Sequence, residues 1–166
     1  MSEVKSEDTP SYVNVKARSE AMDDQVIEQA MAILRERLHK PEATVDSPNT
    51  TAQYLKLALA EKEYESFCLL LLDNRHQVLE FVELFHGTID GASVYPREVV
   101  KVVLAHNAAA IVLAHNHPSG VPEPSEADKR ITQRLSEALK LIDVRVLDHI
   151  VVGGTDHVSF AERGLI

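Results

Sequence analysis

Hydrophobic positions recur at helical spacing in the N-terminal part of the chain. Between Asp23 and His39 apolar residues return every three or four positions, which predicts an amphipathic helix that Pro41 ends. Its apolar positions are Val26, Ile27, Ala30, Met31, Ile33, Leu34 and Leu38. Ser47-Pro48 is typical of a helix start, with serine as N-cap and proline at the first helical position. This second helix is predicted to turn four residues inward: Tyr54, Leu55, Ala58 and Leu59.

Further along, continuous apolar runs alternate with helical patterns. The runs Phe67–Leu72 and Ala109–Ala114 are typical of strands buried on both faces. Further strands are predicted over Val78–Phe85, over Val144–Val152 and near Val158. Helices are predicted from Pro96 and over Ser125–Leu141, the first with an inner face of Val99, Val100, Val103 and Leu104. This order predicts an α/β fold, a mixed β-sheet flanked by helices.

Length and composition narrow the picture to one domain with a short appendage. Residues 1–20 are polar and aperiodic and are expected to form a mobile arm, 21–46 a helical extension, and 47–166 the domain itself. Cys68 is the only cysteine, so neither a disulfide framework nor a cysteine zinc site is expected. The absence of an apolar signal core or a membrane-spanning run favours a cytoplasmic protein without a membrane partner.

The charge balance is acidic, with 26 acidic and 17 basic residues and a formal net charge of −9. Phosphate contacts require clustered lysine and arginine side chains. The composition therefore disfavours a broad nucleic-acid-binding surface, although it leaves room for a small local basic patch.

Four residues suited to a metal site lie close together in the stretch Ala114–Asp128, in and around a loop with three prolines: His115, His117, Ser125 and Asp128. Chance alone gives roughly 0.4 His-x-His pairs in a chain with eight histidines, so this spacing is weak evidence by itself. The position of this pair in the predicted fold is stronger evidence for metal ligands. If the buried strand continues, alternation places His115 and His117 on one side, at the C-terminal end of a strand where open α/β sheets place ligand sites. We therefore favour metal ligands over a polar loop.

Asp128 is the predicted third ligand. Zinc in catalytic sites is commonly held by three protein ligands, which leaves a fourth position open for water. The pair Ser125-x-x-Asp128 before a helix also resembles a capping box, and on its own capping is the more common reason for such a pair. The two roles are compatible, because a capping serine would fix the first helical turn and so aim Asp128 at the metal.

A zinc hydrolase also requires a general base that is not a ligand. The sequence offers six glutamates for this role: Glu61, Glu63, Glu65, Glu80, Glu83 and Glu98. Glu65 stands immediately before the Phe67–Leu72 run, which would hold it in place. Periodicity alone does not choose among the six.

The motif His115-x-His117-Pro118, six further residues, Ser125 and Asp128 resembles the JAMM metalloprotease signature of the JAB/MPN domain. More narrowly, the chain is similar to the bacterial RadC family from about Ser47 to the C-terminus. Five further segments carry this likeness: Gly87-Thr88-Ile89, Pro96-Arg97-Glu98, Ala114–Gly120, Asp148–Val151 and Ser159-Phe160.

The resemblance implies a cytidine-deaminase-like α/β architecture and one Zn²⁺ ion held by His115, His117 and Asp128. Ser125 matches the family serine that helps to hold the reacting group. The family's catalytic glutamate precedes a buried strand with a similar apolar pattern, which selects Glu65. The implied activity is a zinc metallopeptidase or isopeptidase that acts on a peptide or protein substrate, with water activated by the metal and Glu65.

Two other classes of function stay open at this point. One is a non-catalytic interaction module with the same fold, which would bind no zinc. The other is a DNA-repair-associated factor or nuclease, which the acidic charge and the single three-ligand set disfavour. Longer RadC-like proteins carry a helix-hairpin-helix module before this domain, whereas only about 46 residues precede the matching part here. A zinc deaminase is disfavoured because the Pro-Cys-x-x-Cys half of that signature is missing.

Overall fold

The computed structural model describes residues 20–39, 48–87 and 93–166. The predicted arm before Glu20, the Ser47 N-cap and most of the loop after Gly87 lie outside these ranges. The described helices are α1 (Glu20–His39), α2 (Pro48–Leu59), α3 (Pro96–Ala105) and α4 (Glu126–Lys140). The described strands are β1 (Ser66–Leu72), β2 (Val78–His86), β3 (Ala110–Asn116), β4 (Arg145–Gly153) and β5 (Asp156–Ser159).

The strands form one mixed sheet in the order β2-β1-β3-β4-β5. Strands β3 and β4 are parallel and are joined through α4, whereas the other three neighbouring pairs are antiparallel. Every residue of β1 and β3 is buried, which explains the continuous apolar runs Phe67–Leu72 and Ala110–Ala114 within them. The predicted mixed sheet flanked by helices is confirmed.

Alternation along the two central strands separates two core layers. One layer places Leu70 and Val112 against the first two helices, with Tyr54, Leu55 and Leu59 of α2 buried as predicted. The other places Leu69 and Leu113 against the inner residues of α3 and α4: Val99, Val103, Leu135 and Leu139. The sheet is therefore covered by helices on both faces.

Three positions of the apolar faces predicted for α1 and α3 are exposed. Val26 and Ile33 of α1 keep 46% and 51% of their surface, and Leu104 of α3 keeps 58%. On α1 the side that packs inward carries Leu34 and Met31, and Val26 and Ile33 lie roughly 100° around the helix from Leu34. Leu104 likewise follows Val103 by one helical step, which turns it away from the sheet.

Among the described residues, no helix combines the length and the apolar character needed to cross a lipid bilayer. The part of the fold that matters for function is the end of β3, where the chain leaves the sheet and returns through a loop to α4. The C-terminal end of β4 and the start of β1 lie beside it in the sheet.

Candidate metal centre

The C-terminal end of β3 brings two histidine rings together. His115 lies within the strand and is 1% exposed. The backbone N–H of His117 donates to the carbonyl oxygen of Val152 at 2.7 Å, so the sheet pairing continues one residue beyond the strand. Alternation then places both side chains on the face covered by α4, with their Nε2 atoms 3.0 Å apart.

The first turn of α4 brings a carboxylate to the same point. Ser125 is the N-cap: its Oγ accepts a hydrogen bond from the backbone N–H of Asp128 at 3.2 Å, and its own N–H donates to Asp128 Oδ2 at 2.6 Å. Asp128 Oδ1 lies 3.3 Å from His115 Nε2, and Oδ2 lies 3.4 Å from His117 Nε2. The capping box therefore aims the carboxylate at the two rings.

These distances fit a tetrahedral zinc ion. Ligand atoms that lie about 2.0–2.1 Å from such an ion are separated from one another by roughly 3.3 Å. The carboxylate–imidazole separations of 3.3 and 3.4 Å match this value, and the Nε2–Nε2 separation of 3.0 Å is slightly shorter. Within the described ranges, His115, His117 and Asp128 are the group whose donor atoms converge in this way, all within 4.8 Å of one another.

The charges of the three groups support each other. Burial raises the pKa of the Asp128 carboxyl, but the interactions with His115 and His117 lower it by a larger amount. The net pKa therefore lies far below the ordinary value. The Asp128 carboxylate in turn raises the pKa of His117 against the opposing effect of burial. Asp128 is therefore an anion across the ordinary pH range, as a metal ligand must be.

Each ring presents Nε2 to this point because Nδ1 is engaged elsewhere. His117 Nδ1 lies 2.8 Å from the carbonyl oxygen of Val121, which can only accept, so Nδ1 carries a proton, and in the neutral ring Nε2 carries the lone pair. His115 Nδ1 lies 2.7 Å from Nε2 of a third histidine, His149. Ligand histidines in metal sites are usually held by hydrogen bonds of this kind at the second nitrogen.

Glu65 stands beside the three groups without belonging to them. Phe67 pairs with His115 in the antiparallel β1–β3 register, and continuing that register by two residues places Glu65 opposite His117. The Glu65 charge is among those that raise the pKa of His117. This position is suitable for a general base, close to the three candidate ligands but not one of them.

The backbone on both sides of Glu65 is held by the buried amide of Asn116, the residue between His115 and His117. The Ser66 N–H donates to Asn116 Oδ1 at 2.8 Å, and Asn116 Nδ2 donates to the Tyr64 carbonyl at 3.0 Å. The Glu65 carbonyl itself accepts from the Gly87 N–H at 2.7 Å. Because its own and both adjacent peptide groups are engaged, the Glu65 backbone is held firmly.

The other glutamates that were considered for this role are placed differently. Glu83 on β2 is engaged by Lys62 at 2.8 Å and by the hydroxyl of Ser66. Glu98 pairs with Lys101 on the exposed side of α3. Glu61, Glu63 and Glu80 are exposed at the surface.

A small cleft of about 80 Å³ opens next to His117. Its walls come from the end of α2, from the loop after β3 and from the β4–β5 turn: Leu59, Ala60, Lys62, Asn116, Pro118 and Gly154 among others. Of the three residues whose donor atoms converge, only His117 lines this cleft.

The sequence of this chain matches the profile of the RadC-like JAB domain over residues 45–165. The chain belongs to the RadC-like JAB family. A UPF0758 protein of Vibrio cholerae is 58% identical over 144 residues, which cover 87% of this chain and 90% of the relative. A UPF0758 protein of Nitrosococcus oceani is 59% identical over 140 residues, 84% of this chain but only 62% of the relative. One of Shewanella amazonensis is 60% identical over 124 residues, 75% of this chain and 55% of the relative.

Membership of the RadC-like JAB family establishes a JAB/MPN-class protein. The structure adds two site residues that sequence reasoning missed, Asn116 and Thr132. It also places His149 beside the candidate site. Burial holds the pKa of His149 well below its ordinary value, and the ring contacts both His115 and Thr132. The one available sequence signal was a histidine, His149, in a predicted strand, which shows that a hydrogen-bond partner is required but not which one.

Proposed function

We propose that this RadC-like JAB domain is a zinc-dependent hydrolase of peptide or isopeptide bonds. The observation that carries the proposal is the convergence of His115, His117 and Asp128 on one point, with Glu65 beside them as a non-ligand carboxylate. This combination of three ligands and one free base is the one that metal-assisted amide hydrolysis requires.

The donor set suits Zn²⁺, because two imidazoles and a carboxylate are ligands that zinc accepts in tetrahedral sites. Zinc at this position supplies Lewis-acid polarisation of a carbonyl group and lowers the pKa of water from 15.7 towards about 7. The remaining requirements of the reaction fall on residues of the chain.

Glu65 serves as general base and then as general acid. Its carboxylate takes a proton from the attacking water and passes it to the amine that leaves, so the same group acts in both halves of the reaction. The hydrogen bonds of Asn116 and Gly87 to this part of the backbone keep the carboxylate in position.

Ser125 supplies a hydroxyl at the edge of the metal centre. Its Oγ donates to Asp128 Oδ2 at 2.7 Å, and a hydroxyl can rotate to donate to a neighbouring acceptor instead. In the proposed reaction it donates to the oxygen of the substrate carbonyl as negative charge develops there. A single donor of this kind typically contributes about a hundredfold to a thousandfold in rate.

The proposed substrate is a peptide or protein, and the proposed compartment is the cytoplasm, since the chain carries a single, buried cysteine. We also retain the proposed division into an arm over residues 1–20, a helical extension over 21–46 and the domain over 47–166. The acidic net charge favours a protein substrate over nucleic acid.

The test is hydrolysis by the zinc-loaded protein of linear peptides and of peptides joined through a lysine side chain, followed by mass spectrometry. The wild type is expected to cleave members of one set. Glu65→Gln is expected to bind zinc normally and to lose at least a hundredfold in kcat. Glu63→Gln removes an exposed carboxylate two residues away and is expected to retain full activity. Equal turnover by Glu65→Gln and wild type would exclude the role of Glu65, and zinc-loaded protein inactive on both sets would contradict the proposal.

A further inference from the structure

A chain of buried hydrogen bonds runs from the metal-facing ring of His115 into the protein. His115 Nδ1 lies 2.7 Å from His149 Nε2, and His149 Nδ1 lies 2.6 Å from Thr132 Oγ1. Thr132 Oγ1 lies 2.6 Å from the backbone carbonyl oxygen of Asp128, one helical turn earlier in α4. The three side chains are 1%, 0% and 3% exposed, so water does not compete for these bonds.

The carbonyl oxygen of Asp128, at the end of this series of hydrogen bonds, determines the direction of every bond in the series. A carbonyl oxygen can only accept, so the Thr132 hydroxyl donates to Asp128 and must accept from His149 Nδ1. His149 Nε2 then carries the lone pair and accepts from His115 Nδ1–H. The lone pair of His115 is thereby left on Nε2, the atom that faces His117 and Asp128.

We propose that His149 and Thr132 are positioning residues that hold His115 in the tautomer needed for metal binding. This inference rests on the proposed zinc site. These hydrogen bonds run from the side chain of one proposed ligand, His115, to the backbone of another, Asp128. They therefore also link β3, which carries His115, to α4, which carries Asp128. His117 lies outside this chain and uses the Val121 carbonyl instead.

The packing around His149 holds its ring in the required orientation. His149 lies on β4 at the register position opposite Leu113 of β3. Phe67 and Phe160 contact its ring, with centroid separations of 5.5 and 4.7 Å. Since both ring nitrogens are already engaged, rotation of the ring would break two buried hydrogen bonds, each costly to leave unmade.

Thr132 is the better residue to substitute, because removing the His149 side chain would leave a large cavity in the core. Thr132→Val keeps the shape of the side chain but removes the acceptor for His149 Nδ1–H. His149 then gains by moving its proton to Nε2, which forces the His115 proton onto the metal-facing nitrogen. Thr132→Ser keeps the hydroxyl and should restore the wild-type arrangement. Thr51→Val is the matched control, since the buried Thr51 hydroxyl has no hydrogen-bond partner among the residues that the structure describes.

The first measurement is the affinity of the metal-free proteins for Zn²⁺ and Co²⁺, by competition with a chromogenic chelator. Loss of a group that orients a ligand typically weakens metal binding by about 10- to 100-fold. We expect that loss for Thr132→Val and near wild-type affinity for Thr132→Ser and Thr51→Val. A purely structural role would lower the melting temperature of Thr132→Val without changing the affinity of the folded protein. That result would overturn the inference.

The second measurement needs neither metal nor activity. Ring ¹⁵N chemical shifts of the metal-free protein distinguish a protonated from an unprotonated imidazole nitrogen. We expect His149 to carry its proton on Nδ1 in the wild type and in Thr132→Ser, and to lose this preference in Thr132→Val. A wild-type His149 protonated on Nε2 would overturn the inference. Metal binding without hydrolysis would instead refute the proposed function and leave the inference standing, so the two failures are distinguishable.

Discussion

His117 Nδ1 lies 2.8 Å from the carbonyl oxygen of Val121, so the loop that follows this candidate ligand also orients its ring. The loop rests closely on the end of β4. A Cβ atom added to Gly153 would lie 2.5 Å from the Pro122 nitrogen and 2.7 Å from the Val121 carbonyl carbon, both backbone atoms. Glycine at position 153 is therefore required for the loop to reach His117.

We predict that Gly153→Ala displaces this loop and weakens zinc binding by about tenfold, because His117 loses its Nδ1 acceptor. The measurement is zinc affinity by chelator competition. Gly164→Ala is the control: a Cβ atom added to Gly164 would meet no atom of the described residues within 4 Å, but its φ of 65° is unfavourable for alanine. That variant should lose roughly 1 kcal/mol of folding free energy and keep wild-type affinity. Unchanged affinity in Gly153→Ala would show that the loop does not orient the ligand.

We predict that Asn116→Ala retains zinc but lowers kcat by about tenfold or more. The amide does not face the metal-binding atoms; it bonds the peptide groups of Tyr64 and Ser66 on either side of Glu65. Displacement of a catalytic group by about 1 Å can cost up to about a hundredfold in rate. Gln133→Ala removes an amide on the exposed face of α4 and should leave kcat unchanged. Wild-type kcat in Asn116→Ala would rule out this positioning role.

Substitution of Ser125 can separate capping from catalysis. Asparagine is about as good an N-cap as serine, whereas alanine loses about 1 kcal/mol of folding free energy. We predict that Ser125→Asn keeps the melting temperature and still loses most of the hydrolytic rate, while Ser125→Ala loses both. Thermal denaturation and steady-state kinetics provide the two readouts. If Ser125→Asn were fully active, the hydroxyl would serve as a cap alone.

Much of the fold follows from the sequence because the central strands are buried on both faces. The continuous apolar runs at Phe67–Leu72 and Ala109–Ala114 were each placed to within two residues at either end. The faces of α1 were harder, because Val26 and Ile33 fit a helical period but not the one side that packs inward. Periodicity shows that a helix has an apolar side, and only the partner element decides how wide that side is.

The candidate site, too, could be predicted from the sequence only in part. His115, His117, Ser125 and Asp128 are close in the chain, so spacing and alternation were enough to bring them together. The partners that support them come from distant elements. Thr132 and His149 are 17 residues apart and meet across α4 and β4, and Asn116 reaches a segment 50 residues earlier in the chain. Spacing within one motif carries no information on such contacts.

The single thiol provides a test of the core. Cys68 is 0% exposed in β1, and burial raises its pKa to about 12. We predict that a thiol-reactive dye does not label the native protein at pH 8, since both access and thiolate are lacking. Unfolding in guanidinium chloride should release one reactive thiol per chain. Rapid labelling of the native protein would contradict this packing of β1.

The most direct test of a metal centre at the end of β3 is the zinc content of the purified, reconstituted protein, measured by elemental analysis. We expect one zinc ion per chain in the wild type and in Glu65→Gln, which changes no ligand. Asp128→Ala and a variant in which both His115 and His117 are alanine should bind less than a tenth of an equivalent, roughly, because they lack one or two of the three ligands. Wild-type protein that takes up no zinc on titration, or ligand variants that bind as much as the wild type, would contradict a metal centre at the end of β3.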